Sequence, residues 1–142
     1  MVTDSISTEK KQRNTFPKAE HLCKRSAIDN LFERGGKGFL AYPVKVTYKL
    51  VEDDQTVRLL IIAQKKRFKH AVDRNKIKRQ LREAYRKQKH ELVDFVAKNG
   101  LHLHIAMMYI DNKILPHYVV ERKIKASLDK MIEKLSNKNG EN

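Results

Sequence analysis

Between Lys65 and His90 the chain reads KKRFKHAVDRNKIKRQLREAYRKQKH, with seven Lys, five Arg and only Asp73 and Glu83 as acids. This stretch carries +10 of a net +14. So dense a charge cannot enter a core, so the apolar residues threaded through it must form one face of an amphipathic element. A 100° wheel puts Ile77, Leu81, Ala84, Gln88, Leu92 and Phe95 on an inward stripe. Arg74, Lys78, Arg79, Arg82 and Arg86 fill a neighbouring sector, with Asn75 among them. Periodicity predicts one helix from about Ala71–Asp73 to Lys98, stopped by Asn99-Gly100. Glu83 and Lys87 are spaced as an i,i+4 pair on its solvent side. The cationic sector lacks the acids that would neutralise an ordinary solvated face, which points to a polyanionic partner. Each phosphate neutralised by Lys or Arg releases a counterion, and this favours binding in dilute salt.

The remaining chain supplies a scaffold for that helix. Its 142 residues suit one domain and can bury roughly 65–70% of the unfolded surface. Residues 1–15 and 136–142 read as disordered tails around a domain at 16–135, entered at Phe16-Pro17. Ser26-Ala-Ile-Asp29 fits a capping box opening a short helix, with Ile28, Leu31 and Phe32 on one face and Gly35-Gly36 as its stop. Val44–Leu50 alternates: Val44, Val46, Tyr48 and Leu50 face one way, Lys45, Thr47 and Lys49 the other. Glu52-Asp53-Asp54-Gln55 reads as a solvated turn, and Val57–Gln64 as a second strand forming an antiparallel hairpin with the first. Leu101–Ile110 is a third, apolar strand. A last helix covers Val119 to Leu135, buried through Val120, Ile124, Leu128, Met131 and Leu135. The order α-β-β-α-β-α, with room for one further short strand, is an α+β sandwich: a small, mostly antiparallel sheet packed with three helices.

Several chemistries find no support. There is no Gly-x-Ser-x-Gly, no His-Glu-x-x-His and no phosphate loop of the Walker type. Cys23, flanked by Lys24 and Arg25, is a lone cysteine and makes no intrachain disulfide. His102 and His104 share a strand face, but no third ligand accompanies them, so they read as strand-surface residues rather than a zinc site. No apolar run approaches the roughly 18 residues of a membrane span, and no secretory signal opens the chain. A cytoplasmic nucleic-acid-binding protein is expected, with neither a membrane nor an obligate protein partner.

At Arg74-Asn75-Lys76-Ile77-Lys78-Arg79, followed by Leu81-Arg82-Glu83 and preceded by Lys65-Lys66, the chain closely resembles the protein subunit of bacterial ribonuclease P. Leu22, Ile28, Phe32 and Gly35 match that family's first helix and glycine, and the resemblance covers about residues 16–135. It implies a fold like a ribosomal-protein domain, with a left-handed βαβ crossover where the general rule favours the right-handed one. It also implies a catalytic RNA subunit, acting with magnesium, that hydrolyses precursor tRNA to its mature 5′ end. The protein itself then carries no catalytic residue and binds no metal.

Carried onto this sequence, the RNA-binding set is Arg74, Asn75, Lys76, Lys78, Arg79 and Arg82. The set for the 5′ leader, in a cleft between the first helix and the sheet, is Ile28, Phe32, Val46, Tyr48, Ile62 and Lys66. Lys76 stands where the family has a second arginine, which keeps the charge but loses the bidentate fork. Ile28 stands where an aromatic is common, and Ile62 is more apolar than usual. A ribosomal or ribosome-assembly protein using the same helix on ribosomal RNA is the competing reading.

Overall fold

The computed structural model describes residues 18–33 and 36–141, so Phe16-Pro17, Gly35 and the tail at 1–15 lie outside the described residues. Its centre is the most deeply buried strand, β4 (Leu103–Tyr109), buried along nearly its whole length. A strand apolar on both faces needs neighbours on both edges and cover above and below. β4 pairs antiparallel with β2 (Val44–Leu50) and parallel with β3 (Val57–Ala63). β1 (Lys37–Ala41) pairs antiparallel with β2 on the far side, giving the order β1-β2-β4-β3.

The expected β2–β3 hairpin is therefore not formed. β2 takes β1 as its hairpin partner across Tyr42-Pro43, and β4 inserts between β2 and β3. The β2–β3 link must then step over one strand, a gap of about 10 Å at normal strand spacing. Val51 and Thr56 do this while bonding to the start of β4: Val51 N–H donates to His102 O and Leu103 N–H to Thr56 O, both at 2.9 Å. The sheet is mixed, with β3 and β4 joined as parallel neighbours through helices in a βαβ unit.

α1 (Arg25–Glu33) lies on one sheet face, and α2 (Ala71–Gln88), α3 (His90–Lys98) and α4 (His117–Glu141) build the core on the other. Four helices replace the expected three because the long helix breaks at Lys89. There Gln88 Nε2 donates to Ala84 O and Glu121 O, and the buried Lys89 ammonium meets Glu20 Oε1 at 2.6 Å. Of the stripe, Ile77, Leu81, Ala84 and Leu92 are buried while Gln88 and Phe95 are half-buried, and Tyr85 and Val96 join the buried set. α3 ends as the sequence implies. Gly100 takes φ 65°, its N–H bonds Ala97 O, and Leu101 N–H reaches Val96 O, a Schellman arrangement. α4 begins directly after Pro116 and continues past Leu135, the last buried position of its stripe.

Two local readings around α1 change. Ser26 lies inside the helix, and Asp29 accepts from Arg25 Nε at 3.3 Å rather than closing a capping box. Gly36 is required for close approach rather than for a left-handed turn: a Cβ there would sit 2.0 Å from Leu31 O and 3.5 Å from Thr47 Cγ2. Gly36→Ala forces α1 away from the sheet. It should cost about 1–3 kcal/mol in urea melts, as overpacking does; a variant within 0.5 kcal/mol of the parent would show that the contact relaxes freely.

Candidate nucleic-acid interface

The cationic sector of α2 is built as the wheel implies, because its apolar stripe faces the sheet and turns the basic residues out. Asn75, Lys76 and Arg79 are exposed; Lys78 and Arg82 are half-buried. Among the described residues none of Lys76, Lys78, Arg79 and Arg82 forms an ion pair. Their charges are left for an outside partner. Glu83 is bound by Arg86 at 2.6 Å, not by Lys87, and that hydrogen bond holds its carboxyl below the usual range. Arg74 differs from its neighbours. Its Nη1 donates to Phe68 O at 2.8 Å and to Lys69 O at 3.0 Å. Arg74 therefore ties the loop before α2 to the first turn through one guanidinium nitrogen.

A second surface lies on the opposite side of the sheet. α1 packs Leu22, Leu31, Ala27 and Ile28 over Ala106, Leu60 and Ile62. Beside it a row crosses all four strands, open at Leu40 and Lys45, half-buried at Met108 and running under α1 at Ile62: Leu40 pairs with Lys45, Lys45 with Met108, and Met108 with Ile62. Leu40 is 57% exposed, and Phe32 rims the row from α1 at 44%. An apolar floor with a lysine at its middle and an aromatic at its edge suits bases and phosphates of a single strand.

A family model for ribonuclease P matches residues 16–110. The chain belongs to the ribonuclease P protein family. The ribonuclease P protein component of Porphyromonas gingivalis is 37% identical over 113 residues, covering 78% of this chain and 82% of that one. That of Chlorobium phaeobacteroides is 36% identical over 110 residues, covering 70% and 75%. The fold matches the Staphylococcus aureus RNase P protein with TM-score 0.62 at 22% identity, over 80% of this chain and 96% of that one. It matches the Thermotoga maritima RNase P protein with TM-score 0.61 at 23% identity, over 78% and 96%. As a ribonuclease P protein component, the chain is part of a ribonuclease complex.

Set against the leader cleft that the resemblance implies, the residues divide. Ile28 and Ile62 meet in the α1 cluster, Phe32 stands at its rim, and Lys66 is exposed in the loop after β3. Val46 and Tyr48 do not belong there. They are 0% and 6% exposed and pack in the core on the α2–α4 side, Tyr48 against Phe39 at 6.1 Å. Strand alternation places Lys45, Thr47 and Lys49 on the α1 side instead, so the carried-over pair is off by one residue. Leu40, Lys45 and Met108 lie on the α1 side in their place. The alternation already separated Lys45 from Val46, but which face α1 covers is a tertiary fact.

The acidic turn and the histidines also differ from expectation. His104 is buried rather than on the strand surface, with Nε2 at 2.7 Å from Asp53 Oδ2. Arg58 Nε reaches the same oxygen at 2.6 Å, and the N–H groups of Asp54 and Gln55 donate to Oδ1. His102 Nδ1 lies 3.0 Å from Gln55 O. Asp53 thus makes a structural knot at the β2–β3 link, while Glu52 and Asp54 of the same turn stay exposed.

Proposed function

We propose that this chain is the RNA-gripping, non-catalytic subunit of ribonuclease P. It binds the catalytic RNA subunit through α2 and the 5′ leader of precursor tRNA along the open row beside α1. Its cellular place is the cytoplasm, where precursor tRNA is processed. The observation that carries this reading is the group Lys76, Lys78, Arg79 and Arg82, four cations along α2 that form no ion pair among the described residues. Asn75 beside them adds a donor and an acceptor for a sugar or base edge. Magnesium, if required, supplies electrophilic assistance at the phosphodiester from within the RNA subunit. Of the chain's own carboxylates, Asp53 is saturated by donors and Glu83 is held by Arg86.

The test is to capture the protein from cells and sequence the bound RNA. Recovery of the ribonuclease P RNA supports the reading. Recovery of ribosomal RNA alone, or phosphodiester cleavage by nuclease-treated, repurified protein, overturns it. For the leader, Phe32→Ala should weaken precursor tRNA binding by about 1 kcal/mol, the low end for a lost base stack, and leave mature tRNA binding unchanged. Equal losses for both tRNAs would sink the leader contact. Tyr48→Ala is unsuited to this test, since emptying a buried aromatic site costs about 3–5 kcal/mol of fold stability.

A further inference from the structure

The free edge of β3 carries a feature that neither the basic helix nor the α1 cleft uses. Leu103 N–H donates to Thr56 O, so even-numbered residues of β3 turn their main-chain groups toward β4 and odd-numbered ones turn outward. Leu59 faces outward and is met by the entry segment, with Leu22 N–H donating to Leu59 O at 2.9 Å. That bridge, His21 to Leu59, is isolated: the chain leaves the edge at Cys23 and turns into α1. Ile61 is the next outward residue, and strand pairing has already stopped. Facing it from α2 are Lys78 and Arg82, one helical turn apart. Between them lies a groove of about 130 Å³, walled on its far side by Cys23. The wall is firmly tied. Glu20 meets Lys89 at 2.6 Å, and Arg58 Nη1 donates to Ala19 O at 2.6 Å.

We propose that this groove binds one ribose–phosphate unit of RNA. Lys78, Arg82 and Ile61 N–H hold the phosphate oxygens, and Ile61 C=O accepts from the 2′-hydroxyl. The chemistry is selective. Among the described residues no carboxylate lines the groove, and two cations beside a main-chain donor form an anion site. The groove is far below the roughly 300–1,000 Å³ of a drug-sized pocket. Strand addition by a peptide needs a longer run of open edge than Ile61 and Ala63 supply. The main-chain acceptor beside the phosphate makes the site favour RNA over DNA. This inference rests on the reading that α2 binds RNA and adds a strand edge to that interface.

The experiment uses the full chain labelled with 15N, titrated with an RNA hairpin and with the DNA hairpin of the same sequence. The Ile61 amide resonance should shift saturably with RNA and less with DNA, and the shift should vanish in Lys78→Ala and Arg82→Ala. Cys23→Trp fills the groove from its exposed wall. It should lower the slope of log affinity against log salt by about one while thermal melting stays unchanged. Arg79→Ala, outside the groove, is the control. If it lowers the slope while Cys23→Trp does not, or if the Ile61 amide stays still as RNA binds, the groove site is wrong and the RNA-binding reading survives. If the parent chain binds no RNA, both fall.

Discussion

Asp53→Ala is expected to lower folding stability by about 3 kcal/mol, the cost of removing one partner from a buried ion pair. Its carboxylate, 13% exposed, accepts from Arg58 at 2.6 Å and His104 at 2.7 Å and from two main-chain N–H groups. Removing it leaves the buried His104 imidazole without its carboxylate and Arg58 with only Asp54 and Ala19 O as partners. Burial alone would raise the Asp53 pKa, but the hydrogen bonds from Arg58 and His104 outweigh it and hold the carboxyl far below the usual range. A depressed carboxyl contributes fully above its unfolded pKa, near 3.8, and loses that contribution as pH falls below it. Urea melts should therefore show the parent losing stability below about pH 4, with this component missing in Asp53→Ala. A variant within 0.5 kcal/mol of the parent at pH 7, or one with the parent's full acid sensitivity, would contradict the knot's role. The consequence reaches function, because Arg58 also holds Ala19 and with it the entry segment beside α2.

Replacing Lys78, Arg79 and Arg82 together by Ala should lower the salt slope of RNA binding by up to about three, at most one per contact. The fold should persist. None of the three has an ion-pair partner among the described residues, and Ala is the best helix former. Removing three charges from a chain of net +14 also relieves self-repulsion, so the melting temperature should hold or rise. Filter binding across a salt series, paired with thermal melts, checks both halves. An unchanged slope would mean the helix does not meet phosphates.

The helix stripe was readable because its period repeats over five turns, and misplacing one residue would not hide it. Likewise, every buried position expected for α4 is buried. The cleft was less readable. Val46 and Lys45 are neighbours with opposite facings, and choosing between them needs knowledge of which sheet face α1 covers. Asp53 and His104 are 51 residues apart. Nothing local announces their contact, and a run of acids beside turn residues reads as solvent-exposed in any chain.

What the sequence determined by itself was local and periodic: an amphipathic helix with a cationic sector, an alternating strand, an apolar strand and the Gly100 stop. These depend on which neighbours three, four or two positions away are apolar, and the chain carries that information directly. Tertiary structure alone decided the strand order, the break at Lys89, the burial of His104 and the face on which α1 lies. Each of these follows from competition among distant segments for the two faces and two edges of β4, a choice made by total burial rather than by any single stretch.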